Sequence, residues 1–229
     1  MFTRKLPECW GHRGASAALP ENTIASFEAA IRDGAEGVET DVHVSKDDVL
    51  IMFHDADLQR TTGTKGLISE TNYYGEGGIE HLRTIKEPSQ PIPTFLETLD
   101  LLMKPENQHV KLNIDCKASN DPERLFSLMH TCITKYPNWD SKLAPRLVLG
   151  IWHPAFIQPA IKNLPYLIRS YIGRNPWTAR EYFWVHVDMF SVEFAALCSY
   201  EGQNFMAECA QAGKPICVWT VNKEEEMME

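Results

Sequence analysis

Eight short apolar runs, near residues 8–12, 36–44, 49–54, 110–116, 146–151, 166–172, 187–192 and 215–221, are mostly separated by stretches with helical spacing. That alternation leaves few folds open. Strand–helix repeats lay successive strands parallel, in a sheet that is either open or closed into a barrel. The helical patterns fit 23–33, 94–103, 122–135, 154–163, 177–183 and 203–212. In the first of them Ile24, Phe27, Ala30 and Ile31 share one face. Asn22 is the expected N-cap. Gly34 and, after the last helix, Gly213 read as stop signals. No G-x-G-x-x-G or G-x-x-x-x-G-K-[ST] loop occurs, so dinucleotide-binding and P-loop folds have no support. With 229 residues the whole chain reads as one large α/β domain spanning 1–229.

One interval breaks the alternation. Between Asp41 and His54 there is no room for a helix, and Lys46-Asp47-Asp48 is a turn signal, so this stretch reads as a β-hairpin. A turn centred between Asp47 and Asp48 sets Asp41 opposite His54. With the returning strand set aside, seven barrel strands remain, ending at 215–221, and Asn222 to Glu229 resembles the start of a helix. The expected fold is therefore a TIM (β/α)8-type barrel lacking its last strand and helix, incomplete at the C-terminus. Its first and last strands would be edges.

The charge balance narrows the partners. A formal charge of -9 offers no basic stripe for nucleic acid and no general attraction to anionic lipid. Any phosphate site must be a local cluster in an acidic protein. The six cysteines form no C-x-x-C pair and read as buried free thiols of a reducing compartment. No secretory signal and no run of about 18 apolar residues is present. A cytoplasmic location is expected. Peripheral contact with a membrane or lipid surface stays open, as does the oligomeric state.

The polar residues at strand ends carry the chemistry. Glu39 and Asp41 are two apart on a strand and point the same way, while Val38, Thr40, Val42 and Val44 form the other face. Carboxylates turned toward a barrel axis are costly unless paired or bound to a cation. A hard divalent ion with oxygen ligands, Mg²⁺ or Ca²⁺, answers that cost. Asn113, Asp115 and Lys117 alternate in the same way on the next strand. Asp115 could be a third ligand and Lys117 could hold a phosphate oxygen; the plainer reading is an ion pair between the two. His12 and His54 titrate near neutral pH and are candidates for general acid and base. Arg13 offers bidentate contact to phosphate. Trp219 ends the last strand, where its ring could stack on a glycerol or acyl group or pack in the core. His43, with the parity of Asp41, and His153, at a strand end, rank below these. Tyr73 and Tyr74 lie in a loop that could meet a lipid surface.

These residues sit in motifs that resemble the glycerophosphodiester phosphodiesterase family. The stretches are GHRG at 11–14, PENTIASFEAAIRDGAEGVETDV at 20–42, HDADLQRTTGTKG at 54–66, IPTFLETL at 92–99, NIDCK at 113–117 and VWTVN at 218–222. Each is weak alone; the ordered set is specific and runs through most of the chain. The resemblance implies a TIM barrel and a divalent metal held by Glu39 and Asp41. It also implies His12 and His54 as the acid/base pair, and Arg13 and Lys117 on phosphate. The family usually has glutamate where this chain has Asp115, a ligand shorter by one C–C bond, about 1.5 Å. That aspartate, with GIWHP at 150–154 and WTVNK at 219–223, resembles the fungal phosphatidylglycerol-specific phospholipase C branch. Phosphatidylglycerol would then yield diacylglycerol and glycerol phosphate. A soluble glycerophosphodiesterase, a lipid-transferring phospholipase D relative and an inactive truncated remnant are the alternatives.

Overall fold

The computed structural model describes residues 6–227. Its strands are β1 (Trp10–His12), β2 (Gly37–Val44), β3 (Leu50–Met52), β4 (Lys111–Cys116), β5 (Leu147–Ile151), β6 (Ile168–Gly173), β7 (Met189–Glu193) and β8 (Ile216–Trp219). The longer helices are α1 (Ile24–Arg32), α2 (Phe95–Met103), α3 (Pro122–Ile133), α4 (Ile157–Asn163) and α5 (Tyr200–Gln211). Seven strands run parallel in the order β1-β2-β4-β5-β6-β7-β8, and β3 lies antiparallel on β2. Each parallel strand is added beside its predecessor, with helices between, which is the winding of a (β/α)8-type barrel. Among the described residues no pairing joins β8 to β1, so the sheet stays open along that seam.

The strand parity matches the sequence pattern. Val38, Val42 and Val44 of β2 enter the large core with Phe27, Leu99 and Phe126 from α1, α2 and α3. Glu39 and Asp41 are thereby turned to the other face. The segment 177–183, expected as one helix, begins as α-helix over Pro176–Thr178 and continues as a π-helix over Ala179–Phe183.

Several expectations need correction. The hairpin loop is three residues long, Lys46 to Asp48, closed by Ser45 N–H donating to Val49 C=O at 2.9 Å. Asp48 takes a left-handed φ of 66°, which aspartate tolerates, and this centres the turn on Asp47. Asp41 therefore faces Phe53, whose N–H donates to the Asp41 carbonyl at 2.9 Å, and not His54. The cap of α1 is Thr23: its hydroxyl accepts from Ser26 N–H at 3.2 Å, and Ser26 Oγ accepts from Thr23 N–H at 3.2 Å. Residues after β3 form an excursion with a small core of its own, including Phe53, Leu58, Ile68, Ile79 and Ile92. Tyr73 is buried there, whereas Tyr74 is exposed. Of the cysteines, Cys116 and Cys209 are buried, but Cys9 and Cys198 are exposed. No helix of the described residues is long and apolar enough to cross a membrane.

Candidate active site and metal centre

Parallel register brings the carboxylates together. His12 of β1 pairs with Glu39 of β2, and Asp41 of β2 pairs with Asp115 of β4. Side chains of the same parity on adjacent strands then stand side by side. One oxygen from each of Glu39, Asp41 and Asp115 lies within 4.8 Å of the others. His12 Nε2 is 3.8 Å from Glu39 Oε2.

After His12 the chain turns sharply. Arg13 and Gly14 have φ of 58° and 76°, and a Cβ on Gly14 would lie 2.4 Å from Ser26 Oγ, so glycine is required there. The turn aims the Arg13 N–H at Glu39 Oε2, at 3.0 Å, and sets Arg13 Nε 3.5 Å from Asp41 Oδ2. Among the described residues, Arg13 Nε finds no hydrogen-bond partner, nor do the buried Asn113 Oδ1 and Trp219 Nε1 atoms.

Lys117 closes the other side. Its Nζ is 2.6 Å from Asp41 Oδ1 and 2.7 Å from Asp115 Oδ2. Trp152, just past β5, donates Nε1–H to Asp115 Oδ1 at 2.7 Å. Asn22 completes the shell of Asp41. Its Nδ2 donates to Asp41 Oδ2 at 2.7 Å, and its Oδ1 accepts from Thr40 Oγ1 at 2.8 Å and Asp41 N–H at 3.3 Å.

His54 comes from the end of the hairpin return. Its carbonyl accepts from His43 Nε2 at 3.2 Å, and its Nδ1 donates to Asp55 Oδ1 at 2.7 Å. His153, by contrast, is a local cap, with Nδ1 accepting from Ala155 N–H. Trp219, ending β8, meets Trp152 edge-on at 5.7 Å between ring centroids, and the Arg174 guanidinium lies 5.6 Å from its ring.

The site is short of positive charge. Burial, together with Asp41 and Asp115 nearby, pushes Glu39 well above the usual carboxylate range. Burial also raises Asp115, with Lys117 opposing it and Asp41 adding to it. For Asp41 burial acts upward as well, but Lys117, Arg13 and Asn22 overcome it and the net shift is downward. Burial acts against the Lys117 ammonium, yet Asp41 and Asp115 raise it. Burial, reinforced by Arg13, lowers His12 to about 4. Three clustered carboxylates, two of them driven toward protonation, form a donor set that could hold a hard divalent cation. The residues fit such an ion.

The candidate catalytic, metal and substrate-contacting residues fall into one connected set, while His153 and Tyr74 lie outside it. His12, Arg13, Glu39, Asp41, Asp115 and Lys117 form one contiguous cluster. His54 is linked to it through Asp55, Arg60 and Glu21, which reach Arg13, and Trp219 through Trp152. Sequence spacing does not point to Asn22 or Trp152 as site residues, because their partners lie on β2 and β4.

Comparison with known proteins follows the same lines. A family model described as "Glycerophosphoryl diester phosphodiesterase family" matches residues 12–229. A glycerophosphodiester phosphodiesterase of Bacillus altitudinis is 34% identical over 116 residues, 50% of this chain and 46% of that protein. A second, from Caldanaerobacter subterraneus, is 24% identical over 240 residues, covering 94% of this chain and 86% of the relative. The chain thus spans less than half the length of the first of these relatives. Among solved structures, an Oleispira antarctica phosphodiesterase in complex with the product sn-glycerol-3-phosphate has a TM-score of 0.78 at 23% identity, covering 97% of this chain and 88% of the other. A glycerophosphodiester phosphodiesterase from Parabacteroides distasonis has a TM-score of 0.76 at 24% identity, with coverage of 96% and 88%. The structural likeness establishes the barrel fold.

Proposed function

The chain belongs to the glycerophosphoryl diester phosphodiesterase family, and from that membership we propose that it is a metal-dependent phosphoric diester hydrolase acting on glycerol phosphodiesters. The observation that carries this reading is the buried group of Glu39, Asp41 and Asp115, flanked by His12 and Arg13. A divalent cation, Mg²⁺ or Ca²⁺, held by these three carboxylates would neutralise developing charge on a phosphoryl oxygen. Arg13 Nε lies by Asp41 at 3.5 Å without a hydrogen bond among the described residues, and that donor suits a second phosphoryl oxygen. Lys117 holds Asp41 and Asp115 in place and brings a further cation to the substrate phosphate.

His12 and His54 divide the proton transfers. One takes the proton of the attacking hydroxyl, from water or from the glycerol 2-position, and the other gives a proton to the leaving alkoxide. His12, neutral at pH 7, is able to accept. Asp55 fixes the His54 tautomer with hydrogen on Nδ1, so Nε2 is the nitrogen available for exchange.

The glycerol phosphate half is the shared element of the substrates, as the sn-glycerol-3-phosphate bound in the Oleispira antarctica relative suggests. For the leaving group we favour diacylglycerol, making phosphatidylglycerol the substrate. Aspartate at 115 and the Trp219 ring, with an apolar edge for glycerol or acyl carbons, support this. Peripheral contact with a lipid surface goes with that reading.

Product analysis tests it. The purified chain is offered phosphatidylglycerol and, separately, glycerophosphocholine. Diacylglycerol release supports the lipid branch. Glycerol 3-phosphate with choline supports a water-soluble substrate instead. If both phosphodiesters stay intact in the presence of Mg²⁺ and Ca²⁺, the hydrolase reading fails.

A further inference from the structure

His54 and Arg13 lie on different segments, one ending the hairpin return and one following β1. An unbroken run of ion pairs joins their side chains. His54 Nδ1 donates to Asp55 Oδ1 at 2.7 Å, and Asp55 Oδ2 accepts from Arg60 Nε at 2.5 Å. Arg60 then grips Glu21 with both terminal nitrogens, Nη2 to Oε1 at 2.6 Å and Nη1 to Oε2 at 3.2 Å. Glu21 Oε1 also accepts from Arg13 Nη1 at 3.2 Å. Every nitrogen of the Arg60 guanidinium is used, in a fork geometry that lysine cannot reproduce.

A fold-holding role is already filled by other groups. Lys86, from the far end of the excursion after β3, donates Nζ to the carbonyls of Ser16, Ala17 and Leu19 and so ties that excursion to the segment after β1. The excursion after β3 has its own apolar core around Phe53 and Leu58. Arg60 itself is half exposed, and an ion pair so placed contributes little stability. What Arg60 adds is orientation. It fixes the second oxygen of Asp55, and so the plane of the carboxylate that holds the His54 ring. It fixes both oxygens of Glu21, and so the end of Arg13 that does not face Asp41.

We infer that Arg60 is a positioning residue that sets His54 and Arg13 in mutual register, through Asp55 and Glu21, for the phosphodiester reaction. The inference rests on the hydrolase reading of this site.

The test compares wild type with Arg60→Met, Arg60→Lys and Glu21→Gln. The readouts are steady-state hydrolysis of glycerophosphocholine with Mg²⁺, the His54 ring resonances by NMR, and thermal melting. Arg60→Met is expected to lower kcat about 100-fold, the cost of a misplacement of about 1 Å. It should raise KM several-fold as Arg13 loosens, and shift the His54 Nδ1–H resonance while melting changes little. Arg60→Lys should recover only part of kcat, because an ammonium cannot hold Asp55 and both Glu21 oxygens together. Glu21→Gln should raise KM more than it lowers kcat. If Arg60→Met fails to fold, the lysine and glutamine variants read the same coupling. Wild-type kcat and KM in these variants, with an unmoved His54 resonance, would overturn the inference. A wild type with no hydrolysis, whose His54 resonance still depends on Arg60, would contradict the hydrolase reading while upholding the link from Arg60 to His54.

Discussion

Trp152 donates its indole N–H to Asp115 Oδ1 at 2.7 Å, while Lys117 holds the other carboxylate oxygen at 2.7 Å. Both oxygens of the candidate ligand are thereby fixed before any cation arrives. Outer partners of this kind typically carry a factor of about 10 to 100 in metal affinity. Trp152→Phe keeps an aromatic ring against Trp219 but frees one oxygen. Calorimetric titration with Mg²⁺ or Ca²⁺ should show affinity reduced by about that factor. Unchanged affinity would mean that Asp115 is not held through Trp152.

His43 makes stability depend on pH. It is 3% exposed, and burial holds it down to about 4 against the opposing effect of its bond to the His54 carbonyl. Between the ordinary histidine pKa of about 6.5 and about 4, the unfolded chain binds a proton that the folded chain refuses. Stability is therefore retained above that window and falls as pH drops through it, by roughly 3 kcal/mol in all for this group. In metal-free protein, His43→Gln should lessen the slope of unfolding free energy against pH between 4 and 6.5, leaving the share that His12, also lowered to about 4, contributes. An equal slope in the variant would refute the assignment.

Asn22 combines a left-handed φ of 55° with three hydrogen bonds to β2. Asn22→Ala loses both features. The strain costs about 1–2 kcal/mol, and the buried Thr40 hydroxyl and Asp41 carboxylate left without their partner cost about 1–3 kcal/mol more. Asn22→Gly tolerates the backbone but not the loss of bonds, so it should recover only the strain. Urea unfolding of the two variants separates the contributions; equal destabilisation would show that φ plays no part.

The shortage of positive charge around Glu39 and Asp115 implies that a bound cation stabilises the fold. At a free concentration of about 100 times Kd the gain is about 2.7 kcal/mol, or about 5–10 °C in Tm for a chain of this size. Thermal melts with added Mg²⁺ or Ca²⁺ should rise accordingly, and Asp41→Asn should lose most of the rise.

Much of this site is legible in the sequence because strand parity is local. Two-residue spacing alone puts Glu39 with Asp41, and Asp115 with Lys117, on one face, and the parallel register then joins the pairs. The hairpin register and the α1 cap turn instead on backbone conformation that spacing does not encode. Asp48 in the left-handed region moves the hairpin register by one residue, so Asp41 meets Phe53 and His54 lies beyond. Asn22 resembles a helix cap because it precedes Thr23, but its side chain serves β2. Trp152, Arg60 and Glu21 act through partners distant in sequence, and no spacing rule announces such contacts. The small core around Phe53 and Tyr73 leaves no signature in the sequence, since its residues come from short turns without strand or helix periodicity.

The proposed reaction needs Glu39, Asp41 and Asp115 to hold a cation while His12 and His54 cleave a glycerol phosphodiester. It is tested most directly by glycerophosphocholine hydrolysis in chelated protein, after metal is added back, and in His12→Ala and His54→Ala. The expected result is loss of activity on chelation, recovery with Mg²⁺ or Ca²⁺, and rates lowered at least about 100-fold in each variant. Hydrolysis that persists in chelator, or at the wild-type rate without either histidine, would contradict the account.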